Sequence, residues 1–250
     1  MLVLGFGFAF LIGMSLGLIG GGGSILAVPT LIYVMGITPK SAIAMSLPIV
    51  GTVSFIGMIP YWRQGQISFQ TVAFFTPTAI TGAFVGTQIV RFPFITATVQ
   101  LVTFAVMMLT ASFLMIRKTQ SPSTLTATTD QRKRLWLIPI QGLGVGLLTG
   151  FVGVGGGFLI IPALVLAGNL PMKKAVGTSL FMIALNAAAG FIGYWEQVEL
   201  DWFILSWFTS FAILGVISGS YSSQYIAGEK LQKGFGYFLI AVAVFILIRR

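Results

Sequence analysis

The sequence predicts an all-α polytopic membrane protein made of two inverted-topology repeats. In each repeat a Gly-rich broken or re-entrant helix pair is followed by three full transmembrane helices. Three observations predict this: long uncharged apolar runs, an internal duplication, and a cluster of glycines near the start of each copy.

The runs come first. Of the 250 residues, 56% are hydrophobic and 8% charged, and the mean hydropathy is +0.99. A soluble domain carries about 25% charged residues, so this chain cannot cover a wetted surface. Apolar runs cover 2–19, 42–60, 71–90, 92–116, 135–152, 175–193, 202–219 and 235–248, most of them close to the roughly 20 residues that cross a bilayer as a helix. They lack the alternation of barrel strands, which selects helices. The first run has no basic segment before it and is followed by more membrane sequence, so it is expected to stay in the fold rather than act as a signal peptide. The net charge of +9 lies in the loops, where it is read as topology and headgroup contact rather than nucleic-acid binding.

The duplication orders these runs. Gly150 aligns with Gly17, Gly153 with Gly20, Gly155 and Gly156 with Gly22 and Gly23, and Pro162 with Pro29. The same offset pairs Lys173 with Lys40, Ser179 with Ser46, Tyr194-Trp195 with Tyr61-Trp62, and Gly215 and Gly219 with Gly82 and Gly86. Residues 1–116 and 135–250 are therefore expected to be two transmembrane repeats, joined by a polar cytoplasmic linker at 117–134. The short run after each glycine cluster, 25–35 or 158–167, has about 16 Å of helix and reaches only half-way through a 30 Å hydrocarbon core. Counted as a hairpin with the run before it, the pair gives each repeat an odd number of crossings and inverts the second repeat. Counted as a single crossing, it would make the repeats parallel. With the linker inside, inversion places ten of the 14 Lys and Arg residues inside and four outside, whereas the parallel arrangement splits them eight to six. The positive-inside rule favours inversion.

The glycine clusters carry the functional expectation. Gly20, Gly21, Gly22, Gly23 and Ser24, with Gly153, Gly155, Gly156 and Gly157, permit sharp turns and close approach of backbone to ligand. Unwound backbone at membrane depth survives only where it is buried or lines a wet cavity. Paired Gly-interrupted segments in repeated halves point to a transporter site near the midplane. The short helices after the breaks present unpaired N–H groups and a positive dipole end, which suit an anion. Gly13 and Gly17, Gly142, Gly146 and Gly150, and Gly82 and Gly86 have the spacing of helix packing instead.

Farther along, Ser46, Thr178, Ser179 and Asn186 place hydroxyls and an amide at membrane depth. They either contact an oxyanion or, for the hydroxyls, bond back to the preceding turn. Tyr61, Trp62, Tyr194 and Trp195 are either an interfacial aromatic belt or gates over the cavity mouth. Lys40, Lys173 and Lys174 are read as interface anchors or as ligands. The acids Asp130, Glu196, Glu199, Asp201 and Glu229 all fall in or beside loops, and there is no histidine or cysteine. An intramembrane proton relay, an activated nucleophile and a metal centre are not expected. Nor is an enzyme or a cofactor.

GLIGGGGSILAVPTL, its copy GFVGVGGGFLIIPAL, and the following KSAIAMSLP and KKAVGTSLF resemble the TauE/SafE (sulfite exporter, TSUP) family over about residues 5–248. The resemblance implies a multi-pass protein of the prokaryotic cytoplasmic (inner) membrane that transports small sulfur-containing anions: sulfite, thiosulfate or organosulfonates such as sulfoacetate. Alternating access around the paired breaks is expected, with an anion channel using the same helix ends as the alternative. The expected partners are the substrate anion and the lipid bilayer, with a homo-oligomer left open. The sidedness is directly testable: a reporter on the C-terminal end of the chain should read outside, and an inside reading would sink the inverted arrangement.

Overall fold

The computed structural model describes residues 2–89, 97–117, 131–152, 157–194 and 201–248. The described residues are helical: α1 (Leu2–Ile19), α2 (Gly22–Tyr33), α3 (Pro39–Arg63), α4 (Phe69–Ile89), α5 (Ala97–Arg117), α6 (Gln131–Val152), α7 (Gly157–Pro162) continued by a π-helical turn (Ala163–Ala167), α8 (Met172–Tyr194), α9 (Trp202–Tyr225) and α10 (Gly228–Ile248). Among the described residues, α3, α4, α8 and α9 are long and apolar enough to cross a membrane, and Leu4–Ile19, Val102–Arg117 and Ile138–Phe151 form shorter apolar stretches. The chain is a multi-pass helical membrane protein.

The helices start and stop for local reasons. Thr38 caps α3 by accepting from the Ser41 N–H at 3.4 Å, with Pro39 at the first helical position, where its missing N–H is not needed. Asp201 caps α9 by accepting from the N–H groups of Phe203 and Ile204 at 3.1 and 3.0 Å, which gives one of the acids a structural task. At the other end of α9, the Lys173 ammonium donates to the Gln224 carbonyl at 2.7 Å, a favourable place for a cation on the helix dipole.

The two short helices end alike, bond for bond. Met35 N–H reaches the Thr30 carbonyl at 3.2 Å, and Gly168 N–H reaches Ala163 at 2.9 Å. Ile37 N–H reaches Leu31 at 3.0 Å, and Leu170 N–H reaches Leu164 at 2.9 Å. The left-handed residue in each turn is Gly36 (φ 73°) in one and Asn169 (φ 47°) in the other. Asparagine is among the few residues that accept this conformation without a large penalty. Each of these pairs has the 133-residue offset of the sequence duplication. The π-helical form of residues 163–167 was not legible in the sequence.

The chain forms two compact units, each containing helices from both sequence halves: residues 1–68 with 173–227, and 69–172 with 228–250. In the first unit α2 folds back along α1. A methyl on Gly23 would collide with Ile12 and Leu16, and one on Gly5 with Met35. α1 also packs along α9. Substituents on Gly13 and Gly17 would strike the Ala212 and Val216 carbonyls, and substituents on Gly215 and Gly219 would strike those of Phe10 and Met14. In the second unit α6 packs along α4 with the same register. Gly146 meets the Ala79 carbonyl, Gly150 that of Ala83, and Gly82 and Gly86 those of Leu143 and Leu147. Numbers rise together along both pairs, so α1 and α9 are parallel, as are α6 and α4. The packing glycines let backbones approach to a distance that a side chain would block.

Two further pairs join helices that are counterparts in the duplication, and both run antiparallel. In the first unit, glycines on α3 and α8 pair Leu47 with Gly190, Gly51 with Ala187, Gly57 with Leu180, and Tyr61 with Gly177. In the second, the Ser112 hydroxyl of α5 donates to Gly236 of α10, and the Gln232 amide of α10 donates to Met115 of α5, both at 2.8 Å.

α6 offers a matched pair of substitutions. Gly146→Ala should destabilise the protein by about 1–3 kcal/mol through overpacking. Gly144→Ala, where nothing lies within 4 Å, should be neutral or stabilising by up to about 1 kcal/mol. Thermal melts in detergent check the contrast.

Candidate substrate site at the glycine breaks

The first break is narrower than the glycine run that marks it. Only Gly20 and Gly21 lie outside helix; Gly22, Gly23 and Ser24 already form the first turn of α2. Gly20 makes the reversal, with φ 78°, and a methyl there would also strike Ser179 and Val176 of α8. Gly21 is the N-cap residue of α2, and no side chain caps the helix. The positive dipole end of α2 thus starts at a residue that supplies no capping side chain of its own.

The carbonyl end of α1 is treated differently. Gly20 N–H bonds the Leu16 carbonyl at 2.6 Å. The Tyr61 hydroxyl donates to the Gly17 carbonyl at 2.7 Å and accepts from the Ser223 hydroxyl, whose proton is shared with the Ser220 carbonyl at 2.8 Å. The Ser179 hydroxyl is shared between the Gly20 carbonyl at 3.1 Å and Val176 at 2.9 Å. Side chains of α3 and α8 thus neutralise carbonyls at the negative end of α1. In the second unit, Gln100 of α5 does the same for α6, donating to the Phe151 carbonyl at 3.1 Å.

The remaining sequence-predicted residues fall into three groups. Ser46, Thr178 and Ser179 all donate backwards, Ser46 to Ile43 at 2.7 Å and Thr178 to Lys174 at 2.6 Å, while Thr178 also accepts from the Ser68 N–H at 3.0 Å. A hydroxyl has one proton, so in this conformation none of the three has a donor left for an anion. Asn186 differs in another way: its Oδ1, an acceptor, is buried and has no hydrogen-bond partner. Of the aromatic pair, Tyr61 is 1% exposed and braces the break, whereas Trp62 is 53% exposed and points outward.

Gly157 is buried at the start of α7. Gly153, Gly155, Gly156 and Trp195 lie outside the described residues, as do the side chains of Ser24 and Tyr194. Gly20, Tyr61, Thr178, Ser179 and Asn186 share the first unit; Gly157 belongs to the second. Sequence reasoning missed Gln100, which has no repeated spacing, and Ser220 and Ser223, because nothing in the serine-rich run 218–224 marks which of its members are buried.

An all-helical, multi-pass chain whose helix ends repeat across two copies has the architecture of a membrane transporter. The chain belongs to the sulfite exporter TauE/SafE family, whose profile matches residues 5–246. It is similar to a "Probable membrane transporter protein" of Xylella fastidiosa, with 32% identity over 256 residues that cover 99% of this chain and 95% of the relative. A second relative is the "Probable membrane transporter protein YdhB" of Bacillus subtilis, 27% identical over 219 residues, covering 85% of this chain and 84% of that protein. A "Probable membrane transporter protein" of Haemophilus influenzae is 27% identical over 254 residues, with 94% and 93% covered. These are names of membrane transporters, not enzymes. No solved structure matches the chain.

The bracing of the first break predicts a stability effect. Tyr61→Phe removes a buried hydroxyl that serves two partners and should destabilise the protein by about 1–3 kcal/mol, with Trp62→Phe near neutral. Melting curves of the two purified variants test the difference.

Proposed function

We propose that this protein is a secondary transporter for small sulfur-containing anions, such as sulfite, thiosulfate or organosulfonates. It works by alternating access between two inverted repeats, residues 1–116 and 135–250, across the prokaryotic cytoplasmic membrane. The substrate is held at the paired glycine breaks. The observation that carries this reading is the uneven treatment of the first break: the α1 carbonyls are bonded by Tyr61 and Ser179, while the α2 N-terminus has no side-chain cap. That leaves net positive character where the chain turns, without a lysine or arginine to trap the anion.

Helix directions support the inversion. α2 folds back along α1, as a hairpin requires. The counterparts α3 and α8 are antiparallel, and so are α5 and α10. A two-fold axis lying in the membrane plane reverses every counterpart helix; an axis along the membrane normal would leave them parallel. Within the first unit the α3–α8 crossing lies near Gly51 and Ala187, close to the middle of both helices, which supports the same reading. The family description, sulfite exporter, supports the substrate class.

The test is counterflow in proteoliposomes loaded with unlabelled sulfite. Accelerated uptake of labelled sulfite is expected for a transporter, whereas an anion channel would show no trans-stimulation. Gly22→Val and Gly156→Val should abolish uptake while the protein still inserts and runs as a single species in detergent. Normal uptake by well-folded variants would refute the assignment of the breaks as the site.

A further inference from the structure

Most of the described helix hydroxyls of this protein bond back to their own helix, and Ser54 does not. Thr30, Ser46, Thr81, Thr87, Thr110, Thr149, Thr178, Thr209, Ser210 and Ser218 all donate to a carbonyl three or four residues back. This is the default for a hydroxyl in an apolar helix, where no water competes. Ser54 is 0% exposed and its Oγ has no partner, although helix α3 continues on both sides. Ser15 and Thr76 are the other described helix hydroxyls in this state, but only Ser54 lies at the crossing of two counterpart helices. An unpaired buried hydroxyl is unfavourable, so its presence calls for a partner that comes and goes.

Ser54 lies on the stripe of α3 formed by Leu47, Gly51, Met58 and Tyr61, the face that meets α8. A methyl on Gly51, one turn away, would sit 3.1 Å from the Ala187 Cβ and 4.0 Å from the Ala184 carbonyl oxygen. Asn186 is next to Ala187. On α8 it shares a face with Ser179, which touches the glycine break, and with Gly190, which meets Leu47 of α3. Seven residues separate Ser179 from Asn186, about 10 Å along the helix. The two unsatisfied groups thus lie within about one helical turn of the midpoint where α3 and α8 cross, one step along α8 from the break. No Lys, Arg, Asp or Glu lies on the central turns of either helix.

We propose that Ser54 and Asn186 form a neutral mid-membrane contact on the anion path, which takes a singly charged oxyanion such as hydrogensulfite and discriminates against dianions. The inference rests on the transporter reading and narrows its substrate class. The Ser54 hydroxyl donates to an oxyanion oxygen. The Asn186 amide donates after a half-turn about its last bond, or its Oδ1 accepts the proton of hydrogensulfite. Two neutral groups offset the desolvation of one charge far better than of two, because the solvation energy lost on leaving water grows as the square of the charge.

The experiment is thermal-shift titration of the purified full-length protein with sulfite at mildly acidic pH, with sulfate as the dianion. The variants are Ser54→Ala, Asn186→Leu and, as control, the back-bonded Ser218→Ala. The expected result is a sulfite-dependent rise in Tm for the unsubstituted protein and Ser218→Ala, and at least about ten-fold weaker binding for the other two. Without anion, Ser54→Ala should melt at or above the unsubstituted temperature, because it removes an unpaired polar atom; a purely structural hydroxyl would give a lower Tm. Binding retained at full strength in both Ser54→Ala and Asn186→Leu overturns this inference and leaves the transporter reading standing. An equal response to sulfate overturns the preference for a single charge. Absence of a response to sulfite, thiosulfate and sulfoacetate in the unsubstituted protein overturns both.

Discussion

A helix cannot be interrupted inside a bilayer without consequence, since each carbonyl or N–H released from the helical ladder lacks water to replace its partner and is unfavourable by several kcal/mol. The first break of this protein meets that constraint on its carbonyl side with side chains. The released carbonyls of α1 are bonded by the hydroxyls of Tyr61 and Ser179, and Tyr61 is held in turn by Ser223 of α9. The position of α3, α8 and α9 around the end of α1 follows from this demand. The first turn of α2 has no comparable side-chain cap. This asymmetry is what the proposed anion site rests on, since an uncapped helix N-terminus favours negative charge.

Close packing lets those donors reach the break. The α1–α9 and α4–α6 seams bring backbones together through glycines at positions related by the 133-residue offset, so that the same carbonyls are approached in both. Hydrophobic burial does not drive helices together in lipid, whose tails are as apolar as leucine, so van der Waals contact along glycine seams must do more of the work. Each seam joins the first helix of one copy to the fourth helix of the other. A repeat that lends a helix to its counterpart cannot be a compact body by itself, and the two spatial units accordingly mix residues of both copies.

The hydroxyls illustrate how depth changes the role of a polar residue. Ser46, Thr178 and Ser179 occupy places suited to meeting an anion, yet each gives its single proton to a backbone carbonyl. Ser54 and Asn186 keep unsatisfied atoms in the central turns of counterpart helices, which separates them from side chains with a structural occupation. Neutral contacts of this kind hold an anion weakly enough to let it go, a requirement that a buried arginine would not meet.

The sequence by itself determined the fold class, the runs that become α1 to α10, and the family. These depend on hydrophobicity, length and repeated glycine and proline positions, which are local properties that survive without tertiary context. It also marked the run Gly20 to Gly23 as the place of the turn; the structure put the left-handed φ at Gly20. Tertiary structure decided which polar side chain meets which backbone group. Gln100 has no repeated spacing to announce it, Ser220 and Ser223 stand in the serine-rich run 218–224 with nothing local to single them out, and Tyr61 and Trp62 differ in role although adjacent. Their partners come from helices far apart in the chain, and only the parallel and antiparallel registers of the packed helices bring them together.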